Sequence, residues 1–148
     1  MTPLDEILYN AIRADIDLMQ AVGSHIVSTC FEVGPDEVDN TPLPCIIVTD
    51  DGWQNQPETK DNTWEGTEDH VSASIEVDGR SPKEVKQLLK MCRKAVAQHI
   101  ATLDDQEAYD EIPQLDSVQA SQLAWDWTKP CYHQVLTYQC TININDNE

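Results

Sequence analysis

Cysteine and histidine occur close together at two places in the chain, and these are the first positions to consider for metal chemistry. Cys131 and His133 are two residues apart and would share one face of a strand, whereas Cys92 and His99 are seven apart and would share one face of a helix. Neither pair has the partner spacing of a structural zinc site. We therefore expect no metal, and we interpret each pair as a buried cysteine beside a partly exposed histidine.

Carboxylates and possible nucleophiles give no catalytic pattern either. Adjacent acids occur in predicted loops, as Asp50-Asp51, Asp104-Asp105 and Asp110-Glu111. A general acid and base need environments that separate their pKa values, which solvated loop acids lack. The possible nucleophiles are Ser121, Cys30 and Cys131. None of them belongs to a G-x-S-x-G motif, and the chain has no H-E-x-x-H or glycine-rich phosphate motif. The sequence predicts no catalytic residue and no cofactor, so we expect a protein that is not an enzyme.

One set of cations follows a helical period within a very acidic chain. The formal net charge is −18, which argues against binding nucleic acid through its phosphates. Five of the nine cations form a stripe on one predicted helix, called here the cationic face; they are Lys83, Lys86, Lys90, Arg93 and Lys94. An ordinary solvated face is one interpretation. The other is pairing with an acidic surface on the next copy, which makes these residues a candidate subunit interface.

The four tryptophans divide into two pairs. Trp53 and Trp64 stand in a polar segment, where they either cover the edge of the core or contact a partner. Trp125 and Trp127 share one face of a predicted strand, and we expect them in the core.

The elements that position these residues follow from hydrophobic period and from capping residues. Alternation predicts the strand at 70–78, and Ser81 with Glu84 forms a capping box at the start of the helix over 82–101. The remaining predictions are a helix over 3–22, strands over 25–33, 45–49, 118–127 and 132–144, and a long polar loop over 50–69. This order predicts an α+β fold, a mostly antiparallel sheet with two amphipathic helices packed on one face.

Length and composition fit a single domain over residues 1–148 with a flexible tail at 145–148. No apolar run is long enough to span a membrane. The N-terminus lacks the pattern of a signal peptide, so a cytoplasm is the expected place of synthesis. The five cysteines are odd in number and include no C-x-x-C, so we expect them to be reduced and mostly buried.

The chain resembles the tail terminator, or tail completion, proteins of long-tailed bacteriophages, the family of the lambda-type minor tail protein. The resemblance covers nearly the whole chain and depends on element order, lengths and a few short strings. The strings are Pro-Leu-Pro-Cys-Ile-Ile-Val at 42–48, Asp-Asn-Thr-Trp at 61–64 and Val-Leu-Thr-Tyr-Gln-Cys at 135–140. The loops at 34–44 and 50–69 depart in length from the family pattern.

The resemblance implies a structural virion protein of a phage or prophage, located in the tail or neck and assembled in the host cytoplasm. It implies a ring, expected to be a hexamer, that caps the tail tube, ends its polymerisation and joins it to the head. The implied partners are the chain itself, the major tail tube protein and a head-completion or connector protein. DNA would pass through the acidic lumen without specific binding. Trp53 and Trp64 would contact the tube. Two alternatives stay open, a head–tail joining ring of the neck and a monomeric acidic binding module.

Overall fold

The computed structural model describes residues 3–23, 25–28, 42–55, 68–105 and 114–143. The helices within these ranges are α1 (Leu4–Ala14), α2 (Ile16–Val22) and α3 (Pro82–Asp105). The strands are β1 (Ile26–Ser28), β2 (Cys45–Asn55), β3 (Glu68–Gly79), β4 (Gln114–Ala120), β5 (Ala124–Asp126) and β6 (Cys131–Asn143). None of the described helices is long and apolar enough to cross a membrane.

The strands form one sheet in the order β1-β2-β3-β6-β4, with β5 also paired to β6. Only β1 and β2 are parallel among the described pairs, and the other pairs are antiparallel. The centre of the sheet is the long β3–β6 ladder, which joins Glu68 to Asn143 at one end and Gly79 to Tyr132 at the other. The predicted α+β fold with a mostly antiparallel sheet is therefore confirmed.

The core lies between the helices and one face of this sheet, called here the helix-covered face. Along β3 the apolar members of the predicted alternation, Ala73, Ile75 and Val77, are buried in it. Their neighbours in register on β6, Tyr138 and Leu136, are buried as well. Helices α1 and α3 supply the other side of the core, with Leu4, Leu8, Ile12, Val85, Leu88, Leu89, Cys92 and Val96.

The N-terminal helix differs from the sequence prediction because it is divided in two at Asp15. This residue adopts an extended backbone, with φ −88° and ψ 116°, and its side chain accepts a hydrogen bond from Leu18 N at 2.9 Å. Aspartate is a favoured N-cap because its carboxylate satisfies an N–H that the first turn leaves free. Capping therefore prevails over helix continuation, and the described chain has three helices where the sequence predicted two.

The start of α3 agrees with the capping prediction. Ser81 Oγ accepts a hydrogen bond from Glu84 N at 3.2 Å, and Glu84 Oε1 accepts one from Arg80 N at 3.0 Å. The preceding Gly79 allows strand and helix to approach closely, because an added Cβ would lie 2.8 Å from Val85 Cγ2. The helix continues to Asp105, four residues beyond the predicted end.

The predicted polar loop at 50–69 is wrong at both of its ends. Strand β2 continues to Asn55 and β3 begins at Glu68, while 56–67 lie outside the described residues. A bulge between Asp50 and Gly52 interrupts the β2 ladder, and Gly52 has φ +94°, which favours glycine. The polar composition of 50–55 therefore reflects a bulged, partly exposed strand.

The predicted strand at 118–127 is two strands, β4 and β5, separated by three residues. Ser121 lies between the two strands and is hydrogen-bonded to β6. Its N–H donates to Val135 O at 2.8 Å, and its Oγ accepts from Val135 N at 2.9 Å. Gln134 Nε2 donates to Ser121 O at 2.8 Å. Of the predicted strand at 25–33, only Ile26–Ser28 is seen as strand, and 29–33 lie outside the described residues.

Candidate functional site

The cationic face lies on the solvent side of α3. All five of its side chains are exposed. The buried side of the same helix, which includes Val85, Cys92 and Val96, packs on the sheet. Because the cations recur every three or four residues, they fall in one stripe along the helix. The structure thus brings together the five residues that the sequence named as a candidate interface.

The charges of this stripe are uncompensated among the described residues. The ion pairs found within the described chain are Arg80–Glu84 and Lys129–Asp78, with His133–Glu76 a third when the histidine is protonated, and none includes a member of the cationic face. In a chain of net charge −18, five exposed cations that form no ion pair with a described residue create a local field of opposite sign. Such a stripe can attract an acidic surface on another molecule or another copy.

Trp53 lies on β2 immediately after the bulge. Its side chain is 70% exposed, and it lines a shallow cavity together with His70 and Asp116. The bulge is held by Gly52 N, which donates to Asp50 Oδ1 at 2.8 Å. A large apolar side chain on a fixed backbone is suited to contact a partner. Trp64, the other candidate for tube contact, lies outside the described residues.

The prediction that Trp125 and Trp127 belong to the core is wrong. Trp125 is 38% exposed and Trp127 is 85% exposed. Trp125 contacts Tyr132 edge-to-face at 4.9 Å between ring centroids, and Trp127 contacts Trp125 in the same way at 5.8 Å. The physical reason is topology: β5 pairs only with β6 in the described sheet, so Trp125 lies at an edge, and Trp127 lies in the turn that follows β5. These aromatic residues are an additional exposed surface that alternation alone did not reveal.

The sheet face opposite the helices, called here the helix-free face, contains a group of buried polar side chains. Asp78 is 3% exposed, and its Oδ2 lies 3.5 Å from Lys129 Nζ. Lys129 Nζ also donates to Cys45 Sγ at 3.4 Å, and the Cys45 thiol lies 3.8 Å from Asp78 Oδ2. The lysine thus compensates one buried carboxylate and anchors the turn that joins β5 to β6.

Glu76 and His133 complete this group. His133 Nδ1 lies 3.8 Å from Glu76 Oε1, and the two side chains are 31% and 30% exposed. Burial, then a side-chain hydrogen bond to Asp78 and the charge of Asp78, then the charge of Asp126, raise the pKa of Glu76 to about 8. Glu76, Asp78 and His133 are called the polar cluster below. Sequence reasoning missed it, although the i, i+2 spacing of Glu76 and Asp78 was a signal that they share a face.

The cysteines agree with the prediction of reduced, buried residues where they are described. Cys45, Cys92, Cys131 and Cys140 are free and buried, and Cys30 lies outside the described residues. Burial raises the pKa of Cys92 to about 12 and that of Cys45 to about 11. Both thiols are therefore protonated at neutral pH and poor nucleophiles.

Comparison with known proteins identifies no family. No protein-family model matches the chain, and no curated protein matches it. Among solved structures, the chain is similar to one described as "Virion of native gene transfer agent (GTA) particle", with 16% sequence identity and a TM-score of 0.45 over 95% of each chain. A likeness of this degree carries no argument about function.

Proposed function

We propose that the protein is a non-enzymatic virion component, a tail terminator of a phage or prophage that acts as a homo-oligomeric ring. The observation that carries the proposal is the cationic face, five exposed cations without a described ion pair on a chain of net charge −18. A head-to-tail contact between this stripe and acidic side chains of the next copy closes into a ring when a whole number of rotations between copies completes one full turn without a shift along the axis. The sequence resemblance described above supports the same assignment.

The mechanism is steric. One face of the ring, expected to be hexameric, binds the last layer of tail tube protein, and the other blocks further addition and binds a head-completion protein. DNA passes through the lumen, whose acidic character repels the phosphate backbone and prevents adhesion. No step requires a catalytic residue or a cofactor.

The test of the ring is the solution mass, measured by light scattering at low and high salt. Raising the salt from about 0.1 M to about 1 M shortens the Debye length from about 10 Å to about 3 Å. We expect an oligomer at low salt that dissociates at high salt. The double variant Lys86→Glu/Lys90→Glu should not assemble, because it reverses the centre of the stripe.

A matched control changes the net charge equally at another place. Arg13→Glu/Arg80→Glu replaces two exposed cations outside the cationic face, and its mass should equal that of the unmodified protein. Equal masses for both double variants would contradict the role of the stripe. A chain that is monomeric alone and also fails to co-sediment with purified tail tubes would contradict the whole proposal.

The proposed contact of Trp53 with the tube has its own test. Trp53→Ser should reduce co-sedimentation with tail tubes without changing the mass of the ring. Trp127→Ser is the control, since Trp127 is even more exposed but lies in the turn between β5 and β6. If both variants lose binding equally, general surface hydrophobicity explains the result and a specific role for Trp53 is wrong.

A further inference from the structure

We propose that the polar cluster binds one divalent transition-metal ion of the zinc type. Glu76, Asp78 and His133 each offer a ligand atom, and these three atoms lie within 4.8 Å of one another. The inference does not depend on the proposed ring, because it concerns the helix-free face of a single chain. It departs from the sequence-based prediction, which considered only cysteine–histidine pairs.

The backbone of the sheet fixes the three side chains on one side. Asp78 and His133 are direct partners in the antiparallel β3–β6 ladder, so their side chains are neighbours on the same face. Glu76 is two residues from Asp78 on β3 and therefore points the same way. A tetrahedral ion with bonds of about 2.0–2.2 Å requires ligand atoms about 3.4 Å apart. Ligand atoms that now lie up to 4.8 Å apart would therefore approach by up to about 1.4 Å when the ion binds.

The second observation is an unpartnered buried atom. Asp78 is 97% buried, its exposure being 3%, and with Glu76 ionised its Oδ1 has no hydrogen-bond partner among the described residues, whereas a protonated Glu76 would donate a hydrogen bond to this carboxylate. Lys129 is within reach of the other oxygen, Oδ2. Buried polar atoms are nearly always partnered, and an orphaned one requires an explanation such as an ion. A metal bound through Oδ1 supplies the missing partner and leaves the lysine pair intact.

The charge balance favours a cation of two positive charges. Glu76 and Asp78 are acids, Asp126 acts electrostatically on Glu76, and Lys129 is the lysine described beside them. With its pKa at about 8, Glu76 is largely protonated at neutral pH, so a metal ion has to displace that proton; the two carboxylates then have excess negative charge that a dication compensates. Glu76 and His133 each remain about 30% exposed, so an ion can enter from solvent.

The ligand types select the kind of ion. Imidazole suits zinc, nickel, copper and iron, whereas magnesium and calcium prefer sites made only of oxygen. One imidazole and two carboxylates form a three-ligand set of the kind zinc accepts, with a fourth position for water.

The test is calorimetric titration of the full-length chain, first stripped of metal, with Zn²⁺ and separately with Mg²⁺. We expect one Zn²⁺ per chain and no saturable heat with Mg²⁺ at the same concentration. His133→Ala should weaken Zn²⁺ binding by more than the roughly 10–100-fold typical of losing an outer-shell partner. Co²⁺ provides a second readout, because a low-coordinate protein site should strengthen its visible d–d absorption, and His133→Ala should return the spectrum to that of free Co²⁺.

His70→Ala is the matched control. His70 is also half-buried and lies on β3, at the far end of the helix-free face. Its variant should bind Zn²⁺ as the unmodified chain does. Glu76→Gln, which keeps the side-chain volume, should weaken binding and guards against misfolding of the alanine variant. Absence of saturable Zn²⁺ binding, equal binding of Mg²⁺, or equal losses in the His133 and His70 variants would each overturn the proposal.

Discussion

The two faces of the sheet bury alternate residues of the same strands by different chemistry. On β3, Ile75 and Val77 are fully buried against helices on the helix-covered face. Asp78, between Val77 and Gly79 in sequence, is 3% exposed on the helix-free face, where a lysine and a thiol surround it. One face is stabilised by removal of apolar surface from water, and the other requires that each buried charge has a partner.

The difference teaches that alternation predicts which side of a strand is apolar but not whether the polar side is solvated. The alternating segment 75–79, Ile-Glu-Val-Asp-Gly, is equally compatible with acids exposed to solvent and with acids buried beside a cation. The distinction depends on Lys129, which is distant in sequence and reaches Asp78 only in the folded chain. Substitutions on the two faces should therefore differ in size and in their coupling to other sites.

The largest effect is expected on the helix-covered face. Ile75→Ala removes a fully buried side chain from the centre of the core and should lower the free energy of unfolding by about 2–5 kcal/mol. Urea denaturation monitored by circular dichroism measures it. Val135→Ala is the comparison, since Val135 lies on the helix-free face and is only half-buried. An equal cost at both positions would show that the two faces are packed alike.

The next effect concerns the ion pair of the helix-free face. Lys129→Met leaves the Asp78 carboxylate buried without a cation and should cost about 2 kcal/mol in metal-free buffer, below the roughly 3–5 kcal/mol for a fully buried pair. The lower figure reflects a separation of 3.5 Å and a lysine side chain that is 17% exposed. Urea denaturation in the presence of a chelator provides the measurement.

The double variant Asp78→Asn/Lys129→Met sharpens this second prediction. It removes both charges, so its loss of stability should be smaller than the sum of the two single losses. Strict additivity would mean that Lys129 does not compensate Asp78, and the contrast between the two faces would fail at this point.

A smaller effect of opposite sign, a gain in stability, is expected at Tyr138, which places a polar hydroxyl on the otherwise apolar helix-covered face. The Tyr138 hydroxyl is buried with no hydrogen-bond partner among the described residues, and burial raises the pKa of this phenol. Tyr138→Phe removes the orphaned group while keeping the ring, and should raise the free energy of unfolding by about 1 kcal/mol. A clear destabilisation, seen as a lower melting temperature, would show that the hydroxyl has a partner.

The smallest effect is expected at the edge of the sheet. Trp127→Ser should change the free energy of unfolding by no more than about 0.5 kcal/mol, because the side chain is 85% exposed. Thermal melting is sufficient to measure it. A loss of stability as large as that of Ile75→Ala would contradict this prediction, because it would mean that the Trp127 side chain is buried.

The helix-covered face was the part of the fold most accessible to sequence reasoning. The alternation at 70–78 predicted β3 closely, and the helical period from Val85 onward predicted α3, because both patterns are local. The break at Asp15 was missed because aspartate both tolerates a helix and caps one, and local sequence does not decide between these. The misplacement of Trp125 and Trp127 in the core has a different origin, since edge position is a property of strand order.

The candidate site was only partly accessible from sequence. The cationic face could be predicted because one helix carries all five of its members. The polar cluster joins side chains of β3 and β6, and its neighbours Cys45 and Lys129 come from two further segments. Contacts between β2, β3 and the turn that leads into β6 depend on register and strand order, which local sequence periodicity does not reveal.

The gap between β4 and β5 has a consequence for how copies of this chain can meet. Ser121 uses its hydroxyl where a continuous strand would use backbone, so the described outer edge consists of segments of seven and three residues. Long, regular edges are templates for strand addition and for aggregation, and short interrupted ones are not. Growth of an open fibril by edge-to-edge pairing is thereby disfavoured along this described edge, and a contact formed there would depend on side chains more than on backbone pairing.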